Sequence, residues 1–154
     1  MQQYEILTLS DKPALLGIST LEWQVQVMGV LDQMGYKVHA ALDHDDFMTR
    51  FTQYQYQVTL IEETFYCASL EENQSLKYLQ NLPMHLRRHS TIILLSETRQ
   101  TLNPLQAFAL SVHGIINHAD FGNLEAILTK IISENELFLA PYRQTYERLI
   151  QGKI

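Results

Sequence analysis

The chain has 154 residues, a length that suits one domain with a substantial core. Its 46% hydrophobic and 18% charged residues are ordinary for a globular protein. The net charge of -6 disfavours a nucleic-acid surface, which needs a basic face. A single cysteine excludes an internal disulfide, and we find neither a secretory signal nor an apolar run long enough to span a bilayer. We therefore expect a cytoplasmic protein that binds neither nucleic acid nor membranes.

The first half of the chain predicts alternating strands and helices. A short apolar run between turn-forming residues predicts a strand over residues 14–19. Ser19 or Thr20 can cap the helix that follows, and Gly35 can end it. One face of that helix is predicted to consist of Leu21, Val25, Met28, Leu31 and Met34. The next elements are a strand "YKVHAAL", a short helix "DHDDFMTRFTQY" and a third strand within "YQVTLIEETF".

The second half continues the alternation after a polar loop over residues 63–71. The segment "ENQSLKYLQNLP" predicts a helix that stops before Pro83. The segment "LEAILTKII" spaces its apolar residues as a strongly amphipathic helix. The other predicted elements are a strand "HSTIILLSE", a short helix "PLQAFALS", a fifth strand "VHGIIN" and a last polar helix "APYRQTYERLIQ".

Five strands alternating with helices predict a doubly wound α/β domain with a five-stranded parallel sheet. The strands are apolar runs, as in a sheet covered on both faces. The functional site of such a sheet lies at the carboxyl ends of its strands. The polar residues predicted at those ends are Ser19, Thr20, Glu62, Glu63, Ser96, Asn117 and His118.

The order of elements, together with the phrases "QMGYKV", "YQVTLIE" and "STIILLSE", resembles the receiver domain of response regulators, a flavodoxin-like fold. The resemblance covers about residues 12–133. Residues 1–11 would then form an N-terminal extension or an extra strand. Residues 134–154 would form a C-terminal helical extension, or lead into another domain of a larger regulator.

The resemblance implies a depleted phosphorylation site. Receivers end their third strand with an aspartate that accepts a phosphoryl group, and this position falls on Glu62. Their first strand ends with two acidic residues that bind magnesium, and these positions fall on the neutral Ser19 and Thr20. Phosphoryl transfer needs a metal to neutralise developing charge, and magnesium prefers carboxylate oxygens. Glutamate is also one methylene too long, and a misplacement of about 1 Å can cost roughly a hundredfold in rate.

Of the remaining positions of the family pattern, one matches and two differ. Ser96 matches the serine or threonine that moves toward the phosphoryl group. His118 stands where receivers have a lysine, and Ile115 stands where they have a switching aromatic residue. We therefore expect a pseudo-receiver without metal, cofactor or catalytic activity, which acts by binding protein partners in two-component-type signalling or a phosphorelay.

The resemblance also suggests where such a partner binds. Receivers often associate through the face formed by the fourth helix, fifth strand and fifth helix, here "PLQAFALS", "VHGIIN" and "LEAILTKII". We expect a protein partner, or a second copy in a homodimer, on this face. Exposure of Phe138, Leu139 or Tyr142 would mark the site.

Glu62 itself allows two interpretations. Its carboxylate could mimic a phosphate and hold an active-like conformation, or it could be a polar residue that ends a strand and faces water. We favour the second interpretation, because the aromatic switch that a mimic would drive is absent.

The main alternative is a small α/β enzyme with a site at the strand tips. Glu62, Glu63 and His118 would supply its chemistry. The two arrangements that we consider are a Cys67–His118 pair and a triad of Ser96, His118 and Glu62. No G-x-S-x-G, G-x-G-x-x-G or P-loop motif supports this alternative. An enzyme would need a concave, partly apolar cleft, whereas a pseudo-receiver needs only a shallow depression. Phosphorylation at Glu62 or Glu63 is a third possibility, which the metal argument disfavours.

Overall fold

The computed structural model describes residues 11–152, except for the side chains at positions 142, 143, 146 and 147. Most of the predicted N-terminal extension therefore lies outside the described residues. The strands are β1 (Lys12–Gly17), β2 (Tyr36–Ala40), β3 (Val58–Glu62), β4 (Thr91–Ser96) and β5 (Gly114–Asn117). The α-helices are α1 (Leu21–Gln33), α2 (His44–Gln53), α3 (Gln74–Asn81), α4 (Met84–Arg87), α5 (Pro104–Ala109) and α6 (Leu124–Ile150), and short 3-10 helices span Leu70–Glu72 and His118–Asn123.

The five strands form one parallel sheet in the order β2-β1-β3-β4-β5. Ala14 lies opposite Val58, and Val58 lies opposite Thr91, so the strands run in step. Their carboxyl ends consequently meet at one edge of the sheet. The prediction of a doubly wound, five-stranded parallel sheet is confirmed.

The sheet separates two apolar cores, as expected when helices cover both of its faces. One core lies under α1 and α6, and the other lies under α2, α3 and α5. Residues typical of the first core are Trp23, Val27, Leu31, Leu128 and Ile131, and residues typical of the second are Phe47, Phe51, Leu76, Leu79 and Ala107.

The predicted face of α1 was wrong in two of its five residues. Leu21 is 70% exposed and Val25 is 64% exposed. The helix instead buries Trp23, Val27 and Leu31, which are also four residues apart. Because α1 carries apolar residues on both sides, spacing alone does not decide which side meets the sheet.

The two helices predicted near the C-terminus form one continuous helix of 27 residues, α6. Pro141 lies inside it, although proline removes one backbone hydrogen bond. The acceptor that loses its donor is the carbonyl of Leu137, a residue that is 77% exposed, so water can replace the missing bond. The predicted domain boundary at residues 133 and 134 therefore falls within a helix.

Helix α6 packs along the sheet from the carboxyl ends of the strands to their amino ends. A Cβ atom at Gly114 would come within 2.6 Å of Ile131, so this close approach requires glycine. Further along, the Asn135 amide donates to the Thr91 hydroxyl at the first residue of β4 (2.8 Å). Within the described residues, no helix is both long and apolar enough to cross a membrane.

Candidate functional site at the strand tips

Glu62 ends β3 and is buried, with 3% of its surface exposed. One carboxylate oxygen accepts hydrogen bonds from the backbone N–H groups of Ser19 (2.9 Å) and Thr20 (3.0 Å). The other oxygen accepts from the hydroxyl groups of Thr20 and Thr64. Both oxygens are therefore occupied by donors from the chain itself.

This arrangement makes Glu62 a structural cap on Ser19 and Thr20, the two residues that lead from β1 into α1. Thr20 stands at the N-cap position of α1, but its side chain makes no capping bond to the helix. The carboxylate of Glu62 instead approaches from the neighbouring strand, where the positive end of the helix dipole stabilises a negative charge. The expectation that Glu62 faces water was therefore wrong, because the donors that end β1 draw its side chain inward.

Glu63 points to a different set of partners at the tip of β4. Its carboxylate accepts from the Ser96 hydroxyl (2.6 Å) and forms an ion pair with Arg99 (3.1 Å). The Ser96 hydroxyl oxygen also accepts from the N–H groups of Thr98 (3.1 Å) and Arg99 (3.0 Å). Ser96 is fully buried, so these bonds hold it in one position.

Asn73, which the sequence analysis did not identify, bonds to the backbone of both glutamates. Its side-chain amide donates to the carbonyl oxygens of Glu62 (3.0 Å) and Glu63 (3.2 Å). Its side-chain oxygen accepts from the N–H of Leu76 (3.0 Å) and so caps α3. The signal in the sequence was the asparagine that precedes a helix, which is typical of an N-cap.

Asn117 organises the tip of β5 by holding the loop after β4. Its side-chain amide donates to the carbonyl oxygens of Glu97 (3.2 Å) and Arg99 (2.8 Å). Its backbone N–H donates to the Thr101 hydroxyl oxygen (2.8 Å), and that hydroxyl donates to Asp120. The loop that carries Arg99 is thereby fixed beside Glu63.

His118 and Ile115 occupy environments unlike a phosphate site. The ring of His118 stacks on Trp23, with 4.7 Å between ring centroids, and meets Phe121 edge-on at 4.9 Å. Ile115 is fully buried in the core on the α5 side of the sheet. An aliphatic residue thus fills the position where the family pattern implies a mobile aromatic ring.

Within the described residues, His118 forms no hydrogen bond with Cys67 or with Ser96, as a catalytic pair or triad would require. The Cys67 thiol donates to the carbonyl oxygen of Ser69 (3.3 Å), and burial raises its pKa, so the reactive thiolate is disfavoured. The Ser96 hydroxyl donates to Glu63, whereas His118 contacts aromatic rings. Neither the cysteine pair nor the serine triad is therefore assembled.

The cavity at the tips is small, about 250 Å³, whereas ligand sites commonly have about 300–1,000 Å³. Most of its charged side chains are acidic, and Arg99 is the one cation that lines it within the described part of the chain. The residues that line the cavity are Trp23, Glu62, Glu63, Thr64, Ala68, Ser69, Leu70, Glu71, Leu95, Glu97, Thr98 and Arg99.

The residues at the tips do not fit the magnesium ion that a receiver site would hold. Magnesium requires oxygen lone pairs in near-octahedral geometry. Ser19 and Thr20 instead direct N–H and O–H hydrogens at Glu62, whose own lone pairs those donors use. Among the residues that the structure describes, no group of three or more His, Cys, Asp or Glu side chains is placed to hold a metal.

Comparison with solved structures identifies the fold. No protein-family model and no curated protein matches the chain. The chemotaxis response regulator CheY4 of Vibrio cholerae superposes with a TM-score of 0.64 at 14% identity, over 79% of this chain and 99% of that one. The receiver domain of the sensor histidine kinase PA1611 from Pseudomonas aeruginosa, which has magnesium in its active-site cleft, gives 0.62 at 16% identity, over 80% and 99%.

A third neighbour covers a larger share of this chain. NtrX from Brucella abortus, solved with ADP, superposes with a TM-score of 0.65 at 12% identity, over 94% of this chain and 30% of that one. At such low identities these similarities establish a shared fold. The chain has the fold of CheY-like receiver domains.

Proposed function

We propose that this chain is an atypical receiver domain that acts as a phosphorylation-independent protein-interaction module in two-component-type signalling. The observation that carries the proposal is the state of Glu62. Both oxygens of its carboxylate are bound by donors of the chain, at the position where a receiver would present its phosphoacceptor.

Phosphoryl transfer to the Glu62 carboxylate would have to break some of these hydrogen bonds. A nucleophilic oxygen needs a free lone pair and a metal that neutralises charge on the transferred group. A phosphoryl group on Oε2 would displace the hydroxyl groups of Thr20 and Thr64, which that oxygen accepts from. The PA1611 receiver holds magnesium in its cleft, whereas the equivalent positions here present hydrogen-bond donors.

The same geometry argues that Glu62 is a structural cap rather than a phosphate mimic. A mimic would act on Ser96, the residue that receivers move toward the phosphoryl group. Here Ser96 is bound to the neighbouring Glu63, and Glu62 bonds to the opposite side, at the start of α1. We infer that the tip is set in one arrangement that no phosphoryl group switches.

The surface around α5, β5 and α6 supports the interaction role. Leu105 and Phe108 on α5 are 81% and 86% exposed, and Phe138 on α6 is 82% exposed. Such exposed apolar surface marks an interaction site. Of the other residues expected there, Leu139 is buried, which corrects that expectation, and the Tyr142 side chain lies outside the described residues. We place a protein partner or a second copy on this face, in the cytoplasm, with no role for nucleic acid or membranes.

The alternative of a small enzyme using Glu62, Glu63 and His118 has less support. Both carboxylates are already engaged, and His118 belongs to an aromatic cluster with Trp23. We therefore propose a non-catalytic role without a cofactor.

The proposal is tested by incubating the full chain with magnesium and a small phosphodonor such as acetyl phosphate, followed by intact-mass spectrometry. A receiver that keeps the aspartate and its acidic pair serves as the positive control. We expect this chain to stay unmodified while the control gains a phosphoryl group. Modification that fragmentation maps to Glu62 or Glu63 would overturn the proposal.

A further inference from the structure

A groove of about 810 Å³ lies near the amino ends of β4 and β5, away from the strand tips. Its walls come from α4, from the end of α5 and the turn that follows it, and from α6. Its lining is mostly apolar. The residues that line it are Met84, Arg87, Arg88, Phe108, Ser111, Val112, His113, Asn135, Phe138, Leu139 and Pro141.

The charge of this groove is opposite to that of the chain. The chain carries a net charge of -6, yet among the described residues no carboxylate lines the groove. Its charged side chains are Arg87 and Arg88. The Arg87 guanidinium donates to the carbonyl oxygens of Leu79 (3.1 Å) and Ser111 (3.3 Å), which hold it in place without neutralising it.

The apolar surface extends beyond the groove itself. Phe108 and Phe138 stand on its two walls and are 86% and 82% exposed, and Leu105 lies one turn before Phe108 on α5. The two rings alone present on the order of 300 Å², a sizeable part of the roughly 800 Å² that each partner buries in a standard interface. A small molecule inside the groove would leave this rim uncovered, whereas a protein segment would cover it.

The groove is also preformed. Asn135 is tied to Thr91 by a buried hydrogen bond (2.8 Å), and Leu139 is buried beneath the groove. The His113 ring nitrogen Nδ1 accepts from the backbone N–H of Ile92 (2.8 Å). These contacts fix the floor before any partner arrives, which lowers the ordering cost of binding.

We propose that this groove binds an acidic amphipathic helix of a partner protein. Apolar side chains spaced three or four residues apart would fill the space between Phe108 and Phe138, as in other helix-in-groove complexes. Carboxylates beside them would face the Arg87 guanidinium. A second copy fits less well, because apposed grooves would bring arginines against arginines and two chains of the same net charge together.

This inference names the partner class for the interaction role proposed above, and it is tested separately from phosphorylation. The full chain is used to select from a phage-displayed random library of peptides about 16 residues long, roughly four helical turns. We expect selected peptides to share apolar residues at helical spacing and an excess of Asp and Glu. Selection of basic peptides, or of none, would overturn the inference.

The selected peptides are then synthesised and titrated into isotope-labelled full chain. We expect NMR shifts at Val112, His113 and Asn135, and binding about tenfold weaker for Phe138→Ser and for Arg87→Gln. The control is Leu21→Ser, which removes an apolar residue of α1 that is 70% exposed and should bind as the wild type does. Shifts centred elsewhere, or equal binding by all variants, would contradict the inference.

Light scattering of the free chain decides between a partner and a second copy. We expect a monomer at the concentrations used for NMR. A dimer that Phe138→Ser disperses would show that a second copy occupies the groove, and would overturn the inference. Neither result depends on whether Glu62 accepts a phosphoryl group, so failure here and failure of the proposed function are distinguishable.

Discussion

The strand tips and the groove beside α6 use their side chains in opposite ways. At the tips, Glu62, Glu63 and Ser96 are buried or nearly so, and each is bound to donors or acceptors of the same chain. At the groove, Phe108 and Phe138 expose most of their surface. The polar residues at the tips therefore hold the fold together, whereas the two exposed rings at the rim of the groove are available to another molecule.

The contrast between the two regions predicts the largest loss of stability when Glu62 is replaced. In Glu62→Ala the half-buried N–H groups of Ser19 and Thr20 lose their acceptor, which we expect to lower the free energy of unfolding by about 2–3 kcal/mol. Urea denaturation monitored by circular dichroism measures the change. Glu62→Gln keeps one acceptor oxygen, and we expect a loss of only about 1 kcal/mol.

The matched control for this substitution is Glu97→Gln, at an exposed glutamate that lines the same cavity. We expect a change within about 0.5 kcal/mol, as for most surface substitutions. If Glu62→Ala were equally mild, the carboxylate would not be the structural cap that we describe.

A smaller loss is expected from Ser96→Ala. The substitution removes the bond to Glu63 and the acceptor for the N–H groups of Thr98 and Arg99. We expect destabilisation of about 1–2 kcal/mol in the same urea experiment. Thr98→Ala, at a neighbouring exposed residue, should change the unfolding midpoint little. If Ser96→Ala left the free energy of unfolding unchanged, the Ser96 hydroxyl would not hold the tip of β4 in place.

The groove adds a pH dependence through His113. Partial desolvation of the ring, with the nearby Arg87 charge, lowers the pKa of His113 to about 4, below its ordinary value of 6.5. As the pH falls, His113 therefore takes up a proton in the unfolded chain before it does so in the folded one. The free energy of unfolding that depends on His113 is complete above about pH 6.5 and decreases as the pH falls toward 4. His113→Asn can keep an acceptor for the Ile92 N–H but cannot titrate. We expect its unfolding midpoint to depend less on pH over this range, and an unchanged dependence would contradict the assignment.

The smallest effect is expected at the groove rim. Phe138→Ser removes a ring that is 82% exposed, so we expect the free energy of unfolding to change by no more than about 0.5 kcal/mol. The adjacent Leu139 is 6% exposed, and Leu139→Ala should cost roughly 2–3 kcal/mol. Comparable losses in both variants would mean that Phe138 serves the fold and is not reserved for a partner.

Much of the architecture was predictable because strand and helix periodicity repeats along the chain. Val58 to Ile61 and Ile92 to Leu95 are apolar runs bounded by polar segments, and they form the central strands β3 and β4. Packing partners were less predictable. The exposed Leu21 and Val25 and the buried Trp23 and Val27 have the same four-residue spacing, and only the sheet decides between them.

The sequence predicted which residues meet at the candidate site, but it did not predict which hydrogen bonds they form there. The order of the strands brings Ser19, Glu62 and Ser96 to one edge, as expected for parallel strands. Whether Glu62 faces water or the start of α1 depends on a side-chain conformation that spacing does not encode. The pairing of Glu63 with Arg99 likewise depends on the path of a loop, which Asn117 holds from another strand.

The most direct test of the central claim is an NMR titration of the full chain with magnesium and then with beryllofluoride, a mimic of the phosphoryl group. If donors of the chain already occupy the Glu62 carboxylate, neither addition should produce saturable shifts at Ser19, Glu62, Ser96 or His118. Saturable shifts confined to those residues would show that the strand tips retain a working phosphoryl site, and would contradict the account.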